Sequence, residues 1–379
     1  MKILYVLNDT LHHAGTESVI LNYYNHIDRD TIHIDFLLNA PKSELMENDI
    51  CRYLLQQGSN VFCITPRREN AKANKEEFLM VLKDEEYDIV HTHIDAIGSY
   101  FLNLAKEAGV KVRIAHAHNT RHQLKIKGLK SRIHYAYLEK CRKDIRKVAT
   151  HYMACSKEAG EWLFGEEAVS EDKVYLLNNA IDVDNYRKNL SVRGILRQDL
   201  GLENELVIGH VGRFKPQKNH DYLLDVFAKV CEKREDVRLL LIGDGPLKGG
   251  IEQKAEDLGI KDKVIFMGEV DNVGKYLNAM DVFAFPSLYE GLSVVMVEAQ
   301  ANGLRCVMAD SERVSKDTIL TGNVVCIKTD DKHKDKWAEA LLDFGKEHAD
   351  TAQEIKDKGY DITLEAKRLE RYYKGLLKD

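Results

Sequence analysis

FPSLYEGLSVVMVEAQANG, residues 285–303, joins a turn to an apolar helical run and places Glu290 and Glu298 with seven residues between them. Glu290 follows the turn-like PSLYEG segment and Glu298 lies in the helix. Ser293 is a good N-cap and Asn302 and Gly303 form a typical helix end. At a rise of about 1.5 Å per residue, Glu298 sits roughly 7–8 Å along from Ser293. A helix N-terminus offers N–H groups and partial positive charge to a phosphate. A carboxylate accepts from a diol. One carboxylate before the helix and one inside it could hold two sugars on either side of a diphosphate. The alternative is a buried helix carrying two solvated glutamates, and spacing alone does not separate the two.

Working outward, residues 281–286 (DVFAFP) are the strand that feeds this stretch. Upstream, 206–211 is a buried strand running into Gly212-Arg213-Phe214-Lys215-Pro216-Gln217-Lys218-Asn219, a loop at a carboxyl strand end. Arg offers a planar fork to phosphate oxygens and Lys a point charge. Beside a diphosphate helix, Arg213 and Lys218 become a clamp; elsewhere they are surface residues. Residues 237–245 and 263–268 are further strands, and the exit of the second, from Phe266 to Val270, could flank a base. Residues 306–309 and 323–328 complete a sheet of about six strands.

The first half repeats this plan. Strands are expected at 1–7, 32–39, 60–65, 87–93, 111–118, 152–156 and 174–178, with a helix from Ser18 to about His26 after the loop His12-His13-Ala14-Gly15-Thr16-Glu17. Strand, loop, helix is the start of a doubly wound unit, although one glycine makes no dinucleotide fingerprint. Ligands of such sheets bind beyond the carboxyl ends of the strands. That puts His93, His116 and His118 near a crevice, with His116 and His118 on one side of their strand. A histidine metal pair is an option, but no carboxylate or cysteine stands at ligand spacing. Asp182-Val183-Asp184 could hold a metal on a diphosphate; its place in a loop leaving the first domain favours a turn or linker.

Bulk properties fit this plan. A chain of 379 residues suits two domains. A net charge of −6 gives no reason to expect nucleic acid. No apolar run reaches the roughly 18–20 residues of a membrane span, and the five-residue apolar run after Lys2 is short for a signal peptide. Seven scattered cysteines without a C-x-x-C pair read as free thiols in a reducing cytoplasm. Residues 121–147 are strongly basic, with ten Lys/Arg against Glu139 and Asp144, and Ile126, Leu129, Ile133 and Tyr137 recur at helical spacing. This is either a surface helix packed on the sheet or a face that meets anionic lipid or a phosphate-bearing acceptor. A domain boundary is expected between 186 and 205, in a polar, charged stretch, and 364–377 is a terminal helix.

The ordered set GRFKPQKN at 212–219, LIGDGP at 241–246, VIFMG at 264–268 and FPSLYEGLSVVMVEAQANG at 285–303 resembles the glycosyltransferases of family 4. The resemblance is close to full length and strongest over 209–303, and the early Gly-Thr-Glu loop and VHTH segment are similar to bacterial capsular and exopolysaccharide transferases. It implies a GT-B fold, two Rossmann-like domains facing across a cleft. Residues 1–190 are then the acceptor-side domain, 200–358 the nucleotide-sugar domain, and 359–379 a helix packing back on the first.

The resemblance implies transfer with retention from a nucleotide-sugar, usually a UDP-sugar, to a glycan or lipid-linked acceptor in surface polysaccharide synthesis. It also implies no metal and no cofactor beyond the donor, while the thiols point to the cytoplasm and the basic 121–147 segment offers peripheral contact with the inner face of the membrane. Arg213 and Lys218 would bind the diphosphate and Glu298 the ribose. Glu290 would lie near the transferred sugar and phosphate. Leu292, Ser293 and Val294 would offer backbone N–H groups, Gly15 would lie beneath the diphosphate, and His118, with His116 as competitor, would contact the transferred sugar. Ala14 stands where the family often has a second glycine, and Arg305 where it often has proline. A nucleotide-sugar epimerase of the same architecture and a non-catalytic nucleotide-sugar-binding subunit are the rivals.

Overall fold

The computed structural model describes residues 1–7, 11, 15–122, 124, 128–202, 204–343 and 350–378, apart from the side chains of Glu44 and Met46. His12, His13 and Ala14 of the first loop, and Lys125, Ile126 and Lys127 of the basic segment, lie outside the described residues. The chain divides into two units, Met1–Ala180 with Ile362–Asp379, and Ile181–Asp361.

The first unit holds a seven-stranded parallel sheet: β1 Lys2–Leu7, β2 His33–Leu38, β3 Val61–Cys63, β4 Ile89–Thr92, β5 Val112–Ala117, β6 His151–Ala154 and β7 Val174–Leu176, in the order β3-β2-β1-β4-β5-β6-β7. Its central strands are near-continuous apolar runs because helices cover both faces. The 3-2-1-4 reversal at β1 and β4 is the topological switch at which such sheets bind ligands. Ile362–Gly375 is a helix of this unit; Ile362, Ala366, Leu369 and Tyr373, at three- and four-residue spacing, are its buried stripe. The phenol of Tyr373 reaches Tyr5 of β1 at 2.8 Å.

The second unit repeats the design with β8 Leu206–Val211, β9 Val237–Ile242, β10 Val264–Gly268, β11 Val282–Phe285, β12 Arg305–Ala309 and β13 Val324–Ile327, in the order β10-β9-β8-β11-β12-β13. Alternation splits its core in two. Leu206, Ile208, Leu239 and Leu241 enter one cluster with Phe227 and Trp337, while Val207, Leu240 and Ile242 enter another with Phe283 and Met296. Fully burying each such side chain stabilises the fold by about 1.5–3 kcal/mol.

The passage between units falls at Ala180 and Ile181, ahead of the expected end at 190. The polar stretch read as a linker contains the helix Leu190–Asp199, which belongs to the second unit. Its charges are internal partners: Arg193 and Arg197 both pair with Asp281, which also accepts the Val207 N–H at 2.8 Å. The basic helix runs Gly128–Val148; Leu138, Cys141, Ile145 and Val148 pack inward, whereas Leu129 and Ile133 are 74% and 63% exposed. No helix among the described residues is long and apolar enough to cross a membrane.

Candidate functional site

In the second unit the loops leaving β8 and β11 are sewn together. The Leu288 N–H donates to the Gln217 carbonyl at 2.8 Å, the Gln217 amide donates to the Tyr289 carbonyl at 3.0 Å, and the Asn219 amide donates to the Pro286 carbonyl at 3.2 Å. Asn219 turns the chain from a left-handed conformation, φ 56°, into the helix His220–Lys233. This seam brings Lys218 and Glu290, 72 residues apart, into a 2.7 Å ion pair with side chains only 17% and 12% exposed. Lys218 Nζ also lies 5.2 Å from the centroid of the Phe285 ring. Glu290 is held by its backbone, its N–H donating to the Arg313 carbonyl and its carbonyl accepting from the Ser315 N–H.

Two glycines make this approach sterically possible. A Cβ on Gly212 would stand 2.9 Å from the Lys218 stem, and a Cβ on Gly243, whose φ is +129°, would stand 2.4 Å from the Gly212 carbonyl oxygen. Arg213 lines an open polar hollow with Asp244, Gly245 and Glu269, and among the described residues it has no ion-pair partner. Phe266 packs its ring toward the core beside Phe214, with centroids 6.2 Å apart.

The second half of the site is the helix Val294–Ala301. Ser293 occupies the N-cap position, but its side chain accepts no hydrogen bond from the first turn, and that turn carries no acidic residue. The positive helix end beside Leu292, Ser293 and Val294 therefore carries no carboxylate in its own first turn. Glu298 points inward. Burial pushes its carboxyl up to about 7, against the pull of the Tyr186 hydroxyl, which donates to Glu298 Oε1 at 2.9 Å. Burial and this carboxylate in turn hold the Tyr186 phenol above its usual range. Tyr186 follows the Asp182-Val183-Asp184 segment, whose aspartates serve structure. Asp182 caps Val183–Tyr186, and Asp184 pairs with Lys356 at 2.7 Å.

In the first unit His93 and His118 lie just past the ends of β4 and β5, with His93 Nδ1 and His118 Nε2 3.1 Å apart. His116 neighbours His118, with ring centroids 4.0 Å apart. The backbone N–H of His118 donates to Asp95 Oδ1 at 2.8 Å, and burial lowers its imidazole to about 3. Burial also pushes the Asp95 carboxyl up to about 6. Gly15 opens the helix Gly15–His26, and a Cβ there would meet nothing within 4 Å.

Sequence reading missed Tyr186, Gln217 and His91, the last buried beside His93 and His116. The signal for His91 was present in HTH, because alternate residues share a strand face.

The chain matches the model of glycosyltransferase family 4 over residues 13–185 and that of the group 1 glycosyl transferases over 192–362. EpsF of Bacillus subtilis, named as a glycosyltransferase, is 33% identical over 319 residues, 82% of this chain and 79% of that protein. The chain therefore belongs to the family 4 glycosyltransferases, enzymes of GT-B fold. The UDP-Gal:alpha-D-GlcNAc-diphosphoundecaprenol alpha-1,3-galactosyltransferase of Escherichia coli is 29% identical over 235 residues, 61% of this chain and 59% of that one. HepE of Anabaena, solved with UDP, superposes with a TM-score of 0.77 at 19% identity, covering 99% of this chain and 100% of that one.

Proposed function

We propose that this glycosyltransferase moves a sugar from a UDP-sugar to a glycan or lipid-linked acceptor in surface polysaccharide synthesis, with retention of anomeric configuration. The observation that carries the reading is the constellation of Lys218, Glu290, Arg213 and the Val294–Ala301 helix end at the carboxyl edge of one parallel sheet. In the reaction the bond from the anomeric carbon to the diphosphate oxygen breaks. A bond to the acceptor oxygen forms on the same face, and the acceptor proton is released. Negative charge grows on the departing diphosphate. Arg213, Lys218 and the helix end are fixed opposite it, and such preorganised charge is worth more than charge assembled from water. These groups supply what a metal would otherwise supply, so we assign no metal to the diphosphate. Glu290 orients Lys218 through their ion pair, and Glu298 accepts from the ribose hydroxyls.

UDP is preferred because HepE was solved with UDP and UDP-glucose and the Escherichia coli relative is named for UDP-Gal. The purified chain is screened against UDP-, GDP- and ADP-sugars for thermal stabilisation and slow hydrolysis. UDP-sugars should stabilise it and release sugar of unchanged anomeric configuration. Stabilisation by GDP-sugars alone would overturn the nucleotide assignment, and stabilisation by none would overturn the donor site.

The exposed Leu129 and Ile133 stand among Lys130 and Arg132 on the Gly128–Val148 helix. Apolar side chains amid lysine and arginine suit the headgroup region of an anionic leaflet. We assign this face to peripheral contact with the cytoplasmic surface of the membrane that carries the acceptor. Vesicles containing anionic lipid should bind the chain more strongly than neutral ones; equal binding would remove the assignment.

A further inference from the structure

We propose that His91, His93 and His116 form a binding site for a borderline divalent transition metal, of which Zn²⁺ is the representative, within the sheet of the first unit. The proposal rests on that unit alone; it takes His116, and the Nε2 of His118 as partner of His93, away from the contact with the transferred sugar that the family resemblance implies.

β4 carries His91, and His93 follows one residue beyond its end with its N–H donating to the Val6 carbonyl at 3.0 Å, so the sheet alternation continues through it. β5 carries His116 on the neighbouring strand. Alternation turns the three rings to one face. His91 and His93 stack at 4.1 Å between centroids, and His116 lies 5.3 and 5.2 Å from them. All three are buried, at 0, 8 and 2% exposure. One ligating nitrogen from each falls within 4.8 Å of the other two. Three nitrogens about 2.0–2.1 Å from a tetrahedral ion stand roughly 3.4 Å apart, so binding must draw the nitrogens together and turn the stacked His91 ring out of parallel with His93 and His116.

The hydrogen bonding points the same way. Buried polar atoms are ordinarily paired. Yet among the described residues His91 Nε2, His93 Nε2 and both ring nitrogens of His116 have no hydrogen-bond partner. The opposite nitrogens of the first two are occupied: His91 Nδ1 lies 2.8 Å from the Tyr373 hydroxyl, and His93 Nδ1 lies 3.1 Å from His118 Nε2. An outer partner that fixes one nitrogen and leaves the other's lone pair directed inward is the usual support of a metal-ligating imidazole. Imidazole sets suit zinc, copper and nickel rather than magnesium or calcium. Three ligands leave one position for water. Such an ion would join β4 to β5 and, through Tyr373, to the Ile362–Gly375 helix. The sequence offered a histidine metal pair without a carboxylate or cysteine at ligand spacing; here a histidine on the adjacent strand would complete the set.

The whole chain is stripped with a chelator, then titrated with Zn²⁺ by calorimetry and with Co²⁺ by visible absorption. We expect uptake of one equivalent, a rise in Tm with Zn²⁺, and the intense visible bands of a low-coordinate nitrogen-bound Co²⁺. His116→Phe should lose that equivalent and the Tm shift while keeping its far-UV circular dichroism. If the variant fails to fold, the wild-type Co²⁺ spectrum and X-ray absorption of the Zn²⁺-loaded protein decide. No stoichiometric uptake by the wild type, octahedral oxygen-rich ligation, or undiminished uptake by folded His116→Phe would overturn the site.

Discussion

The two sheets share a strand order over six strands, to which the first adds a seventh at one edge, and are furnished differently at their carboxyl ends. The first ends in a block of neutral, buried histidines beneath Tyr373. The second ends in a charged pair, Lys218 and Glu290, an arginine without an ion-pair partner among the described residues, and a helix end without a carboxylate in its own first turn. Topology provides the position, and the loops supply the chemistry. In the first sheet burial lowers the imidazole pKa values, whereas the second presents an arginine and a lysine, the lysine paired with Glu290.

The largest test of this contrast is Lys218→Ala. Loss of one preorganised cation from a leaving group costs about 10²–10³ in rate, so kcat/KM for transfer should fall by that order while the fold survives. Transfer at the wild-type rate would break the contrast, because the charged end of the second sheet would then be mere structure.

A second test uses pH. His91, His93, His116 and His118 have pKa values held down by burial, His118 to about 3. The unfolded chain therefore binds more protons than the native one below the ordinary histidine value of about 6.5. Their stabilisation is full above that value and is lost as pH falls toward the folded values, by up to about 1.4 kcal/mol per pH unit for each histidine. His210 and His220 of the second unit carry the same sign, but they are two against four. Hydrogen exchange followed by mass spectrometry on acidification should show β4 and β5 losing protection before β8 and β11. The reverse order would contradict it.

The strands were legible because each is a short apolar run closed by polar or glycine residues, and the parallel sheets bury both faces. The sequence-expected helix 364–377 runs Ile362–Gly375, since its stripe begins at Ile362. Pairings across long sequence distance were not legible. Nothing local tells that Tyr186 meets Glu298, 112 residues away, or that Arg193 and Arg197 turn a polar stretch inward toward Asp281. The histidines at 93, 116 and 118 were visible as strand-end residues, and His91 could have been found from the HTH alternation, but its contact with Tyr373, 282 residues away, could not.

The central claim is that the second sheet holds a nucleotide-sugar whose ribose meets Glu298. Glu298 has its folded pKa raised to about 7 by burial, so its native contribution is greatest when protonated and fades as pH rises through that value. A ribose diol needs the ionised form and should pull the pKa back down. The most direct measurement is the Kd of a UDP-sugar, by calorimetry, for wild type and Glu298→Gln, a pH unit below and a unit above about 7. Wild-type affinity should strengthen at the higher pH, and the variant should bind about tenfold more weakly there, with little pH dependence. Equal affinity and an equal pH profile in a folded Glu298→Gln protein would contradict the account.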